Sequence, residues 1–121
     1  MLPLCFICSM TDLENLTRAL VAFRDEREWA QFHDSKNLAA AVAIEAAEVN
    51  ELFLWKNGDE AEAVDLNRLK EELADVMAYV LLLADKHGIS MHEAVIEKIA
   101  KNAVKYPVEK AKGVATKYTE L

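Results

Sequence analysis

Residues 38–56, LAAAVAIEAAEVNELFLWK, decide how this chain folds, and residues 70–83, KEELADVMAYVLLL, repeat their pattern. On a helical wheel at about 100° per residue, Leu38, Ala41, Val42, Val49 and Leu52 fall within about a quarter turn of Glu45. Glu45 therefore stands in the middle of an apolar stripe, with Glu48 one turn along on the same side. In the second stretch Glu72 and Asp75 share a face with Leu69, Val76, Tyr79, Val80 and Leu83. The spacing predicts two amphipathic helices, each carrying a pair of carboxylates into a packed interior.

Burying four like charges together costs several kcal/mol per ion, on the order of what a small domain can spare. Protons, bases or a divalent metal can neutralise them. Lys56 and Arg68 lie on these faces but cannot pair with all four. Solvated surface charge is the usual fate of Glu and Asp. Two matching pairs, both centred on apolar stripes, weigh against it here. A donor set made only of carboxylate oxygens points to a hard cation, Mg²⁺ first and Mn²⁺ second.

Glu45-x-x-Glu48 followed by Glu72-x-x-Asp75 resembles the metal motif of the MazG-like all-α NTP pyrophosphohydrolases. The match extends to Glu28-Trp29-Ala30-Gln31-Phe32-His33, Lys36-Asn37-Leu38, Glu51-Leu52-Phe53 and Trp55-Lys56, which resemble the dCTP pyrophosphatase branch of that family. Lys98, Asn102, Lys105-Tyr106-Pro107 and the tail Lys117-Tyr118-Thr119-Glu120-Leu121 belong to the same resemblance, which covers residues 11–121. It implies an all-α, four-helix bundle-like fold that works as an oligomer. The implied activity is Mg²⁺-dependent hydrolysis of a deoxynucleoside triphosphate, dCTP preferred, to the monophosphate and pyrophosphate. Glu45, Glu48, Glu72 and Asp75 would hold the metal, with Glu48 also taking a proton from water. Lys98, Asn102 and Lys105 would hold the phosphates. Trp29, His33, Asn37, Trp55 and Tyr79 would line the base and sugar pocket.

The whole chain fits that size of machine. Its 121 residues suit one domain, and 53% hydrophobic residues with only three Gly and two Pro suit short connections between helices. A formal net charge of −7 disfavours a nucleic-acid duplex or an anionic membrane as main partner. A free nucleotide stays compatible, since bound metal and a few local bases can reverse the field within one site. Cys5 and Cys8 form a single C-x-x-C, half a structural zinc site, with no βαβ pattern after it to make a redox motif. The apolar lead MLPLCFICS has no basic start and no small-residue cleavage site, and Met10 is an equally good start. No run reaches the roughly 18 apolar residues of a membrane span, so the expected compartment is the cytoplasm.

Thr11-x-x-Glu14 and Ser90-x-x-Glu93 read as capping boxes, and Asp34 or Ser35 as the cap of the second helix. Gly88 reads as a helix stop and Pro107 as another. Helices are expected near residues 11–31, 36–56, 66–87 and 91–106, with an acidic loop or loose turn at 57–65. The expected organisation is an extension at 1–10, a helical domain at 11–110 and a tail at 111–121. Ala39, Ala40, Ala43, Ala46 and Ala47, with Leu54, make the far side of the second helix apolar too, which suits a homodimer or homotetramer interface.

Two other classes compete. A di-iron carboxylate bundle needs Glu-x-x-His on two helices, and none of His33, His87 or His92 has a Glu three residues before it. A non-catalytic helical module that binds metal or nucleotide would share the composition and lack the turnover.

Overall fold

The computed structural model describes residues 13–121, and every regular element among them is helical. The expectations placed on residues 1–9, on Cys5 and Cys8, on Met10 and on the Thr11 end of the first capping box fall outside the described residues. The chain divides into two compact units, Met1–Ile89 and Ser90–Leu121.

In the first unit α1 (Leu13–Glu26) leads through a 3₁₀ turn (Ala30–Phe32) to α2 (Ser35–Glu51). A short α3 (Gly58–Glu62) and the long α4 (Leu66–Lys86) follow. α1 stops five residues earlier than its apolar spacing predicts. The reason is a left-handed Glu28, at φ 54°. The Trp29 N–H reaches back to the Arg24 carbonyl at 3.1 Å and the Glu28 N–H to that of Asp25 at 3.0 Å. This is a Schellman closure with Glu where Gly is usual, so the sequence carries no glycine to announce it. α4 ends in the same way with the expected residue: Gly88 has φ 67°, and the Ile89 N–H bonds the Ala84 carbonyl at 2.9 Å.

The helix starts are set by side chains. Asp34 caps α2, accepting from the Asn37 N–H at 2.7 Å, and Asn57 caps α3, accepting from Glu60 at 2.9 Å. Asp65 accepts from Asn67 at 2.9 Å to open α4. Each such cap contributes about 1 kcal/mol. α2 ends at Glu51 rather than running on through Lys56. The chain tightens into i to i+3 bonds over Leu52, Phe53 and Leu54, and Trp55 then turns left-handed at φ 64°.

α2 packs mainly on α4, and α1 packs on α4 less extensively. α2 and α4 run antiparallel. Ser35 at the start of one meets His87 at the end of the other, Oγ to Nε2 2.8 Å, while Glu45 and Glu48 meet Asp75 and Glu72 halfway along. Among the described residues the buried apolar ones are Leu38 and Leu52 on one side and Leu81, Leu82 and Ala84 on the other. Each fully buried leucine contributes about 1.5–3 kcal/mol. An ion pair from Arg18 to Asp85 ties α1 to the end of α4.

The second unit opens with α5 (Met91–Lys105), capped by Ser90, whose Oγ accepts from the Glu93 N–H at 3.2 Å. Pro107 ends it as expected and starts α6 (Val108–Ala111). The tail, for which the sequence shows no period, closes in a 3₁₀ turn (Tyr118–Glu120). Tyr118 meets Tyr106 edge to face at 5.8 Å, and the Lys105 ammonium lies 4.8 Å from the Tyr118 ring centre. A cation over an exposed ring is worth about 0.5–1 kcal/mol. No described helix is long and apolar enough to cross a membrane.

Candidate metal centre

The i, i+3 spacing on each helix puts both carboxylates of a pair on the face turned to the partner helix. Glu45 from α2 and Glu72 and Asp75 from α4 each offer one oxygen, and these three atoms lie within 4.8 Å of one another. Glu48 stands outside this trio, with its carboxyl near enough to those of Glu45 and Glu72 to titrate with them. Carboxylates so close share protons when nothing else neutralises them. The Glu45 carboxyl holds Glu48 above the usual carboxylate range. Glu48 in turn holds Glu72 up, with partial burial adding to it, while the Arg68 charge pulls Glu72 the other way.

One oxygen of Glu45 and one of Glu72 are buried with no hydrogen-bond partner. A buried polar atom without a partner is costly, of order 1–3 kcal/mol and more if charged. Two of them, one from each helix and both in the same acidic cluster, fit a divalent cation whose ligands are all oxygen.

The residues expected around the base do not gather at one place. His33 and Tyr79 do meet, ring centres 6.3 Å apart and edge to face. Nδ1 of His33 is buried without a partner, and burial, then the nearby Arg24 charge, lowers the pKa of the ring. Trp29 packs edge-on against Phe23 at 5.8 Å. Asn37 is occupied locally, its amide donating to the Phe32 carbonyl at 3.1 Å, which fastens the 3₁₀ turn to α2. Trp55 lies apart. It follows the far end of the 17-residue α2, about 25 Å of helix from the turn that carries His33. It is 92% exposed. Lys98, Asn102 and Lys105 follow an i, i+4, i+7 stripe of α5 and are all exposed.

Two participants are not evident from the pattern of residues. The Arg24 charge is felt at His33, nine residues on, across the left-handed turn at Glu28. The Ser35–His87 bond joins residues far apart in sequence, and only the antiparallel register of α2 and α4 brings them together.

Carboxylate pairs on two antiparallel helices of an all-α chain, with three of their oxygens close together, form an acidic cluster of the kind that can hold a metal ion. The model of the MazG-like family matches residues 40–121, and the chain belongs to that family. It is 39% identical over 114 residues to dCTP pyrophosphatase 1 of Rattus norvegicus, a match covering 90% of this chain and 67% of that protein. The human dCTP pyrophosphatase 1 is 37% identical over the same shares. Among solved structures, a pyrophosphatase from Archaeoglobus fulgidus superposes with a TM-score of 0.75 at 42% identity, covering 78% of this chain and 92% of that one.

Proposed function

We propose that this chain is a Mg²⁺-dependent nucleoside triphosphate pyrophosphohydrolase that prefers dCTP or a 5-substituted dCTP. The observation that carries it is the meeting of Glu45, Glu72 and Asp75 with two buried, unpartnered oxygens. Family membership and the names of the relatives supply the substrate class.

The reaction adds water across the α–β anhydride, giving a monophosphate, pyrophosphate and a proton. Bound Mg²⁺ would supply charge neutralisation at phosphate oxygens and a more acidic water. Glu45, Glu72 and Asp75 would hold it. Glu48 is set against two of them without being one of the trio, which suits it to accept the proton from the attacking water. Lys98, Asn102 and Lys105 would engage the phosphate chain, the lysines as point charges. His33 and Tyr79, with Asn37 behind them, would receive the base and sugar. Trp29 and Trp55 would add stacking surfaces.

The reading includes assembly. Ile44, Leu54, Leu73 and Met77 are all more than two-fifths exposed, and the alanines on the far side of α2 are exposed as well. With so few buried apolar side chains among the described residues, the chain is completed by a second copy on this face, as a dimer or a dimer of dimers. The second copy also accounts for Trp55, which would stack on a base held by the His33–Tyr79 end of its partner. A cytoplasmic setting, where nucleotides and Mg²⁺ are abundant, belongs to the same reading.

The test is a panel of common NTPs and dNTPs with Mg²⁺, with products separated. Release of pyrophosphate and monophosphate, fastest from dCTP or its 5-substituted forms, is expected. Release of orthophosphate, or no turnover of any nucleotide, would overturn the proposal.

A further inference from the structure

Arg68, Glu72, Asp75 and Tyr79 are spaced i, i+4, i+7 and i+11, so they form one stripe along α4. The stripe reads, in order, a cation, two metal-cluster acids and an aromatic ring that meets His33. Arg68 stands about 6 Å of helix from Glu72, on the side of the acids away from Tyr79. By the antiparallel register it lies level with the tight turn that follows α2.

Arg68 is also uncommitted. Its backbone N–H is used by the Asp65 cap, at 3.4 Å. The ion pairs among the described residues are Arg18–Asp85, Arg24–Asp25 and Arg27–Glu26, and none includes it. Glu72 is at the i+4 spacing at which charged side chains meet on a helix, and the two still do not pair. An exposed guanidinium beside a cation site weakens the binding of bare metal, so its presence there calls for an anion arriving with the metal.

We propose that Arg68 is a substrate-contacting residue that binds the β- and γ-phosphate oxygens of the nucleotide, the group that leaves as pyrophosphate. This rests on the function proposed above. The stripe then assigns a direction to the substrate: base and sugar at the His33–Tyr79 end, the α-phosphate over the acids, the leaving group at Arg68. The planar guanidinium can take two phosphate oxygens at once, which an ammonium cannot.

The experiment compares wild type, Arg68→Gln and Arg68→Lys in three measurements: binding of Mg²⁺-pyrophosphate by calorimetry, inhibition by dCMP, and affinity for Mg²⁺ alone. Arg68→Gln should weaken Mg²⁺-pyrophosphate binding and raise KM for the triphosphate by about tenfold or more, as expected for a charged hydrogen bond. Inhibition by dCMP should stay within about twofold, and bare Mg²⁺ should bind as tightly as before or tighter. Arg68→Lys should restore part of the loss. Because Arg68 is exposed, both variants should keep the wild-type melting temperature. Unchanged pyrophosphate binding in Arg68→Gln overturns the inference, and so does an equal loss of dCMP and pyrophosphate. Tighter Mg²⁺ binding with unchanged KM overturns it too, since Arg68 would then be only a counter-ion. Pyrophosphate binding needs no turnover, so a wild type that hydrolyses no nucleotide counts against the proposed function and leaves this test readable.

Discussion

Glu45 on α2 and Glu72 on α4 each bury one carboxylate oxygen that no described residue hydrogen-bonds, and the two acids face each other in one cluster with Asp75. A metal bound as proposed would satisfy both atoms. Mg²⁺ should therefore raise the melting temperature in a saturable way, by linkage to the native state, corresponding to about 2.7 kcal/mol at a hundredfold excess over Kd. A chelator should reverse the gain. A melting temperature that does not respond to Mg²⁺ or Mn²⁺ would mean that the acids are structural.

Glu48 separates two roles that its neighbours combine. Glu45→Gln, Glu72→Gln and Asp75→Asn each remove a charged ligand, so metal affinity and turnover should fall together. Without metal each variant should be at least as stable as wild type, since a crowded like charge has gone. Glu48→Gln should behave differently. Standing outside the trio, it should keep more of the metal affinity and lose about 10²–10⁴ in kcat, the usual contribution of a general base. Titration of Mg²⁺ against each variant, beside steady-state rates, distinguishes the two patterns.

Much of this was legible in the chain itself. The ExxE and ExxD pairs place themselves, because the apolar residues around them share their helical period. Asp34, Ser90, Gly88 and Pro107 act where local chemistry puts them, since caps and stops depend on a few adjacent residues. What the sequence hides is set by exceptions to local rules. Glu28 and Trp55 take left-handed backbone that glycine usually takes, so α1 and α2 stop short of their apolar patterns. The separation of Trp55 from His33 follows from the length of α2 between them, which the sequence does show. The Ser35–His87 contact and the freedom of Arg68 depend on the register between helices, which no single-helix wheel contains.

His33 should make the protein sensitive to mild acid. Burial, and next the Arg24 charge, hold its pKa below the ordinary value, so the folded state keeps the ring neutral where the unfolded chain would protonate it. The resulting stability is fully present above the ordinary histidine range and is lost as pH falls through the folded value. Between about pH 7 and about pH 5 the wild type should lose more of its melting temperature than His33→Gln, which cannot take the proton. Equal losses in the two proteins would remove His33 as the cause. The same protonation should raise KM in acid, since a neutral ring keeps one nitrogen able to accept and a charged ring has none.

The exposed face of α2 carries the assembly prediction. Ile44, 59% exposed, projects from it among alanines. Ile44→Glu adds a charge to that face and costs the isolated chain little. It should shift light scattering at micromolar concentration from an oligomer to a monomer and remove activity with it. A wild type that is monomeric at that concentration contradicts the assembly outright.

Trp55 offers the sharpest test of how the site is put together. Among the described residues it is the most exposed large hydrophobic side chain, and its backbone sits at φ 64°, where bulky residues are rare. Neither feature helps an isolated chain: the ring buries almost nothing, and the conformation costs of order 1–3 kcal/mol. A stacking partner supplies the missing reason. Trp55→Ala should then raise KM for the preferred deoxynucleotide about tenfold or more, in line with 1–3 kcal/mol per stacked base, while the apo melting temperature stays close to wild type. Trp55→Gly should lose the same affinity and gain apo stability, because glycine accepts the left-handed backbone without strain. Since Trp55 and His33 lie at opposite ends of α2, a base touching both must be held between two copies of the chain. Mixing Trp55→Ala protein with His33→Ala protein should accordingly regenerate some wild-type sites in mixed oligomers, and with them part of the lost affinity. If neither substitution changes the ranking of substrates while metal binding and folding stay intact, the pocket lies elsewhere.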